Sequence, residues 1–89
     1  MIKEQIEIIN KLGLHARAAA KFVTCANNFT SNVFLSHNGH EVNGKSIMGV
    51  MMLAASQGTT ITISADGEDE TEAMAALANL VNNRFGEDS

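Results

Sequence analysis

A chain of 89 residues with 45% apolar content fits one domain around one modest core, and that content argues against a disordered class. The single cysteine, Cys25, excludes an internal disulfide and a thiolate zinc site. A formal net charge of −4 argues against nucleic acid as a partner. Charges at Lys3, Glu4 and Glu7 break any leader-like apolar run, and no stretch approaches membrane length, so a cytoplasmic protein is expected. The charge is uneven. Lys3, Lys11, Arg17, Lys21 and Lys45 outnumber Glu4, Glu7 and Glu41 in the first half, whereas only Arg84 offsets the acids from Asp66 onward. A basic face around Arg17, Lys21 and Lys45 would suit an acidic protein surface.

Ile2 to Ile9 alternates, with Ile2, Glu4, Ile6 and Ile8 on one side, which predicts a half-buried strand. Asn10 to Gly13 is a connection. Ala16 to Asn28 follows helical spacing, its apolar stripe formed by Ala19, Phe22, Val23, Ala26 and Phe29. Asn32 to Ser36 reads as a strand, Asn38-Gly39 as a two-residue hairpin turn, and Glu41-Val42 as the return. Ser46 is placed to cap a short helix reaching about Ala54, with Ile47, Val50, Met51 and Ala54 on one face. Thr59 to Ala65 is β-branched and alternating, and predicts a strand. Asp69-x-x-Glu72 resembles a capping box for a last helix whose buried face is Met74, Leu77, Leu80, Val81 and Phe85, stopped by Gly86. The order β-α-β-β-α-β-α over residues 1–89 implies a single α+β domain with helices on one face of a sheet. Only the hairpin pairing follows from the sequence itself.

His15 falls beside the N-cap of the first helix, where the amides of Ala16, Arg17 and Ala18 lack partners and the helix dipole is positive. Arg17 adds a full charge. Such a place favours phosphate and disfavours an imidazolium, so a neutral, nucleophilic ring is expected at neutral pH. On the residues alone, an ordinary capping or surface histidine is the plainer reading. Ser46 reads first as an N-cap, and second as a phosphorylation site whose added charge would sit at a helix N-terminus. Met48 and Met52 fall off the buried stripe and suit an adaptable contact patch. His37 and His40 flank the hairpin without a third metal ligand. Cys25 is expected to be buried as a small apolar residue. No dinucleotide fingerprint, catalytic triad or carboxylate pair is present, and no cofactor is implied.

Gly13-Leu14-His15-Ala16-Arg17, taken with Asn43-Gly44-Lys45-Ser46-Ile47-Met48, resembles the HPr family of histidine-containing phosphocarriers from the bacterial phosphoenolpyruvate-dependent sugar phosphotransferase system. The likeness extends over nearly the whole chain. It implies an open-faced β-sandwich, a four-stranded antiparallel sheet covered by three helices. It implies phosphorylation of His15 on Nδ1 by Enzyme I and onward transfer to IIA proteins or domains. Arg17 then corresponds to the active-site arginine, and Ser46 to the regulatory serine that an HPr kinase/phosphorylase modifies in many bacteria. The partners would dock on Arg17, Lys21, Lys45, Ile47, Met48 and Met51, with the carrier expected to be a monomer that is modified by enzymes rather than being one. Three other readings stay open: the nitrogen-branch paralogue, a regulatory docking module without phosphohistidine, and a small-molecule-binding α+β domain.

One position departs from the family pattern: Ala18 stands where HARPA would place proline. Proline would stiffen the first turn and remove an N–H. Phosphorylation of His15 is expected to survive this departure, with a changed phosphohistidine lifetime in Ala18→Pro. A parent chain that fails to accept phosphate, and recovers it on Ala18→Pro, would show the departure to be disabling.

Overall fold

A computed structural model of residues 1–89 orders the chain as β1 (Ile2–Glu7), α1 (Ala16–Ala26), β2 (Asn32–His37), β3 (His40–Asn43), α2 (Ile47–Met52), β4 (Thr60–Asp66) and α3 (Glu70–Asn82), followed by a turn at Arg84–Gly86. The strands form one antiparallel sheet in the order β1-β4-β2-β3. The β4 strand thus inserts between the first strand and the hairpin, a pairing that local sequence could not supply. Asn38 and Gly39 both take positive φ, 52° and 82°, as a type I′ turn requires, and His37 pairs with His40 across it.

Register places Ile6 opposite Ile61, Leu35 opposite Ile63 and Val33 opposite Ala65, so their side chains share the face that the helices cover. From α1, Ala18, Ala19, Phe22, Val23 and Ala26 enter this core; from α3, Ala73, Met74, Leu77 and Val81. The other face carries Gln5, Thr60, Thr62, Phe34 and Ser36 and has no helical cover. This is an open-faced β-sandwich.

Three local expectations need correction. The second helix is only six residues long, and Val50 alone of its residues is buried; Ile47 and Met51 are exposed, and Ala54 lies beyond the helix at φ 54°. The burial that a longer stripe would have supplied comes instead from Leu53 and Ala55. Cys25 is half-buried, its thiol pKa raised by desolvation. The third helix has no capping box, because Asp69 makes no side-chain bond to its own helix. Its carboxylate accepts from the Ser31 hydroxyl and from the backbone N–H groups of Thr30 (2.9 Å) and Ser31 (3.0 Å), tying α3 to the start of β2.

Those bonds, the Ser31 hydroxyl first and the Thr30 N–H next, hold the Asp69 carboxyl at about 2, below its ordinary 3.8. The folded-state value is depressed, so the contribution is present above the unfolded value and is lost as pH falls through the folded one. Acid unfolding followed by circular dichroism should therefore show stability draining between about pH 4 and pH 2, and Asp69→Asn should be less stable at neutral pH and lose less over that interval.

Candidate functional site

Gly13 sets the geometry of the first helix's entry. It takes φ 66°, and a Cβ there would lie 2.4 Å from the Ala55 carbonyl oxygen, so both backbone and space demand glycine. The next residue, Leu14, is buried and donates its N–H to that same oxygen at 2.9 Å. The chain then turns directly into α1. His15 is the N-cap by backbone (φ −73°, ψ 177°), its carbonyl accepting from Ala19 N–H, and its side chain makes no capping bond. The amides of Ala16, Arg17 and Ala18 find no partner within the chain. The ring is 27% exposed, at the surface rather than in the core.

The ring also meets a residue that the sequence did not reveal. Nε2 of His15 lies 2.5 Å from Oε2 of Glu87, 72 positions away. The other oxygen of Glu87 accepts from Nδ2 of Asn10 at 3.0 Å, and the same Nδ2 donates to the Gly13 carbonyl at 2.8 Å. Burial alone would raise the Glu87 pKa. The hydrogen bonds from Asn10 and His15, and the neighbouring Lys21, outweigh that and hold it below the ordinary carboxylate value. The positive helix end is thus not the only field on the ring; a carboxylate acts on its far side. Only Gly86 hinted that the chain end turns, and nothing in the spacing linked it to residue 15.

Of the three cations expected to form one basic face, Arg17 and Lys21 line the same concave surface, whereas Lys45 lies apart. Lys21 donates to the Phe85 carbonyl at 2.7 Å and holds the tail that carries Glu87. Lys45 donates to the Phe29 carbonyl at 2.7 Å, just past the C-terminal end of α1. Arg17 is exposed and has no hydrogen bond or ion pair within the chain. With α1 about 16 Å long, Arg17 and the Lys45 ammonium lie at its opposite ends.

Ser46 begins the second helix as expected, its Oγ accepting from Gly49 N–H at 3.0 Å. Since Lys45 touches the end of α1 while Ala55 touches its beginning, α2 runs antiparallel beside α1. Along that path Met48 (74% exposed) and Met52 (76%) stand out to solvent with Ile47 and Met51, and Leu12 is exposed near His15. His37 sits elsewhere, its Nδ1 3.2 Å from the Thr60 carbonyl.

Residues 2–83 match the family model described as the PTS HPr component phosphorylation site. The chain belongs to the HPr phosphocarrier family. It is 60% identical over 87 residues to the phosphocarrier protein HPr of Neisseria meningitidis, covering 98% of each chain. It is 54% identical over 81 residues to the HPr-like protein Crh of Bacillus subtilis, covering 91% of this chain and 95% of that one. The crystal structure of HPr-C-His from Thermoanaerobacter tengcongensis superposes with a TM-score of 0.96 at 48% identity, each chain covered completely. HPr proteins carry phosphoryl groups, which accords with a histidine set at an electropositive helix end. No helix of this HPr-family chain is long and apolar enough to cross a membrane.

Proposed function

We propose that this chain accepts a phosphoryl group on Nδ1 of His15 from Enzyme I, charged by phosphoenolpyruvate, and passes it to IIA proteins or domains. The observation that carries the reading is a partly exposed imidazole at the open N-terminus of α1, beside three amides without partners. The Nδ1 lone pair attacks phosphorus in line. The amides of Ala16, Arg17 and Ala18, with the Arg17 guanidinium, stabilise charge on the equatorial oxygens. Because Arg17 is committed to no internal partner, it can turn to the phosphoryl group without breaking a bond. The P–N bond keeps the group transferable, and an acidic partner surface would meet Arg17, Lys21 and Lys45.

The exposed Ile47, Met48 and Met51 supply the apolar part of the docking face, and they lie on the helix that Ser46 caps. A phosphate on Ser46 would be stabilised at that helix end and would add about −1.5 to −2 charges to the same face. Against an acidic Enzyme I this acts as a brake. A host kinase/phosphorylase is the class of enzyme that would set it.

Incubation with Enzyme I and 32P-labelled phosphoenolpyruvate should give a single acid-labile label that is lost in His15→Ala; an acid-stable label, or one retained in that variant, would remove the carrier reading. Ser46→Asp should raise the KM for Enzyme I at least several-fold, as like charge costs binding. An unchanged KM and rate in that variant would remove the brake.

A further inference from the structure

The chain ends in a conformation that needs a reason. Arg84, Phe85 and Gly86 take φ 56°, 55° and 77°, three consecutive left-handed residues of which two are not glycine. Such residues persist where their surroundings hold them, and they concentrate at working sites. Here Phe85 is fully buried and its carbonyl is held by Lys21. The result of the turn is that Glu87 is delivered to His15, with 13% of its side chain exposed. Asn10 gives a second, independent sign. It is fully buried, its Oδ1 has no partner, and both protons of its Nδ2 are spent on Gly13 and Glu87. A buried amide with half its capacity unused is retained for what the other half holds.

We infer that Glu87, held by Asn10, is a positioning residue for phosphoryl transfer at His15: it accepts the Nε2 proton, fixes the tautomer that leaves Nδ1 with its lone pair, and stabilises the positive charge the ring gains. This rests on the proposed carrier function. In the transfer step the Nδ1 lone pair forms the P–N bond while the bond from phosphorus to the donor atom breaks, the electron pair leaving with the donor. Nε2 keeps its proton throughout, and the ring becomes cationic. A carboxylate against Nε2–H gains strength in that state, as the aspartate does behind the histidine of a hydrolase triad. The incoming group approaches the other nitrogen, so the carboxylate supports the ring without occupying the attack path.

The test compares the full chain with Glu87→Ala and Glu87→Gln, each phosphorylated by Enzyme I with phosphoenolpyruvate and, separately, by phosphoramidate, which needs no docking surface. Glu87→Ala should lower kcat about tenfold with either donor and leave the KM for Enzyme I unchanged, the size expected for one hydrogen bond to a charged group. Glu87→Gln, which keeps the volume but lacks the charge and offers one acceptor to two donors, should be slow to within about twofold of Glu87→Ala. The downfield proton resonance of His15 Nε2–H, visible in the parent, should be lost in Glu87→Ala. Equal or faster rates in Glu87→Ala, full activity in Glu87→Gln, or a defect seen only with Enzyme I would each overturn the inference while leaving the carrier function standing. A parent chain that takes no label on His15 would overturn the carrier function, and this inference with it.

Discussion

The site depends on one close approach, that of Gly13 and Leu14 to the Ala55 carbonyl. It leaves no room for a side chain at residue 13 and fixes the direction in which the chain enters α1. Since Ala55 follows α2, the same contact locks the open end of the first helix to the far end of the second. His15, the amides beside it and the exposed methionines are consequently parts of one packed unit. Under the proposed function, a partner docking on Met48 and Met52 would meet His15 at a fixed offset, the geometric constraint that a transfer between two proteins requires.

A second constraint closes the site from behind. The tail turns back through left-handed residues because Phe85 fills the core and Lys21 holds its carbonyl, while Asn10 waits in the loop before Gly13. Two non-glycine residues at positive φ cost about 1–2 kcal/mol each. Full burial of the Phe85 side chain offsets about 1.5–3 kcal/mol of that, and the Lys21 hydrogen bond to its carbonyl adds to the hold. A polar assembly lies beside this turn. It joins three segments, residues 10 to 17, Lys21 and the chain end, which are remote in sequence and adjacent only in the folded chain.

Much of this was legible from the residues. Alternation at Ile6, Ile61 and Ile63, the Asn38-Gly39 turn and the stripe from Ala19 to Ala26 express local periodicity, and each local preference agrees with the fold. The insertion of β4 between β1 and β2 is a tertiary choice with no local signal. The short second helix was overestimated because Ile47 and Met51 look like core by spacing, whereas the fold uses them outside. Asp69 carries the pattern of a cap, yet the nearby Ser31 hydroxyl and two backbone N–H groups offer its carboxylate more donors than its own helix does. At the site, His15, Arg17 and Ser46 were visible because helix-end chemistry is local. Asn10 and Glu87 were not, since a hydrogen bond spanning 77 positions leaves no trace in spacing.

The openness of the site follows from what a carrier must do. An enzyme gains by enclosing its transition state, since excluded water strengthens every dipole aimed at it. A carrier must receive a group from one protein and surrender it to another through the same opening, so walls that enclosed His15 would bar one partner or the other. What it can keep are elements that move with it: amides of its own helix, a guanidinium without internal ties, and a carboxylate behind the ring. Ala18 adds to this set. It is fully buried, so its methyl belongs to the core, and its N–H, absent from a proline, has no partner within the chain. Around it the entry to the helix is held by the Gly13–Ala55 contact on one side and the Ala19 to His15 hydrogen bond on the other, neither of which needs a proline.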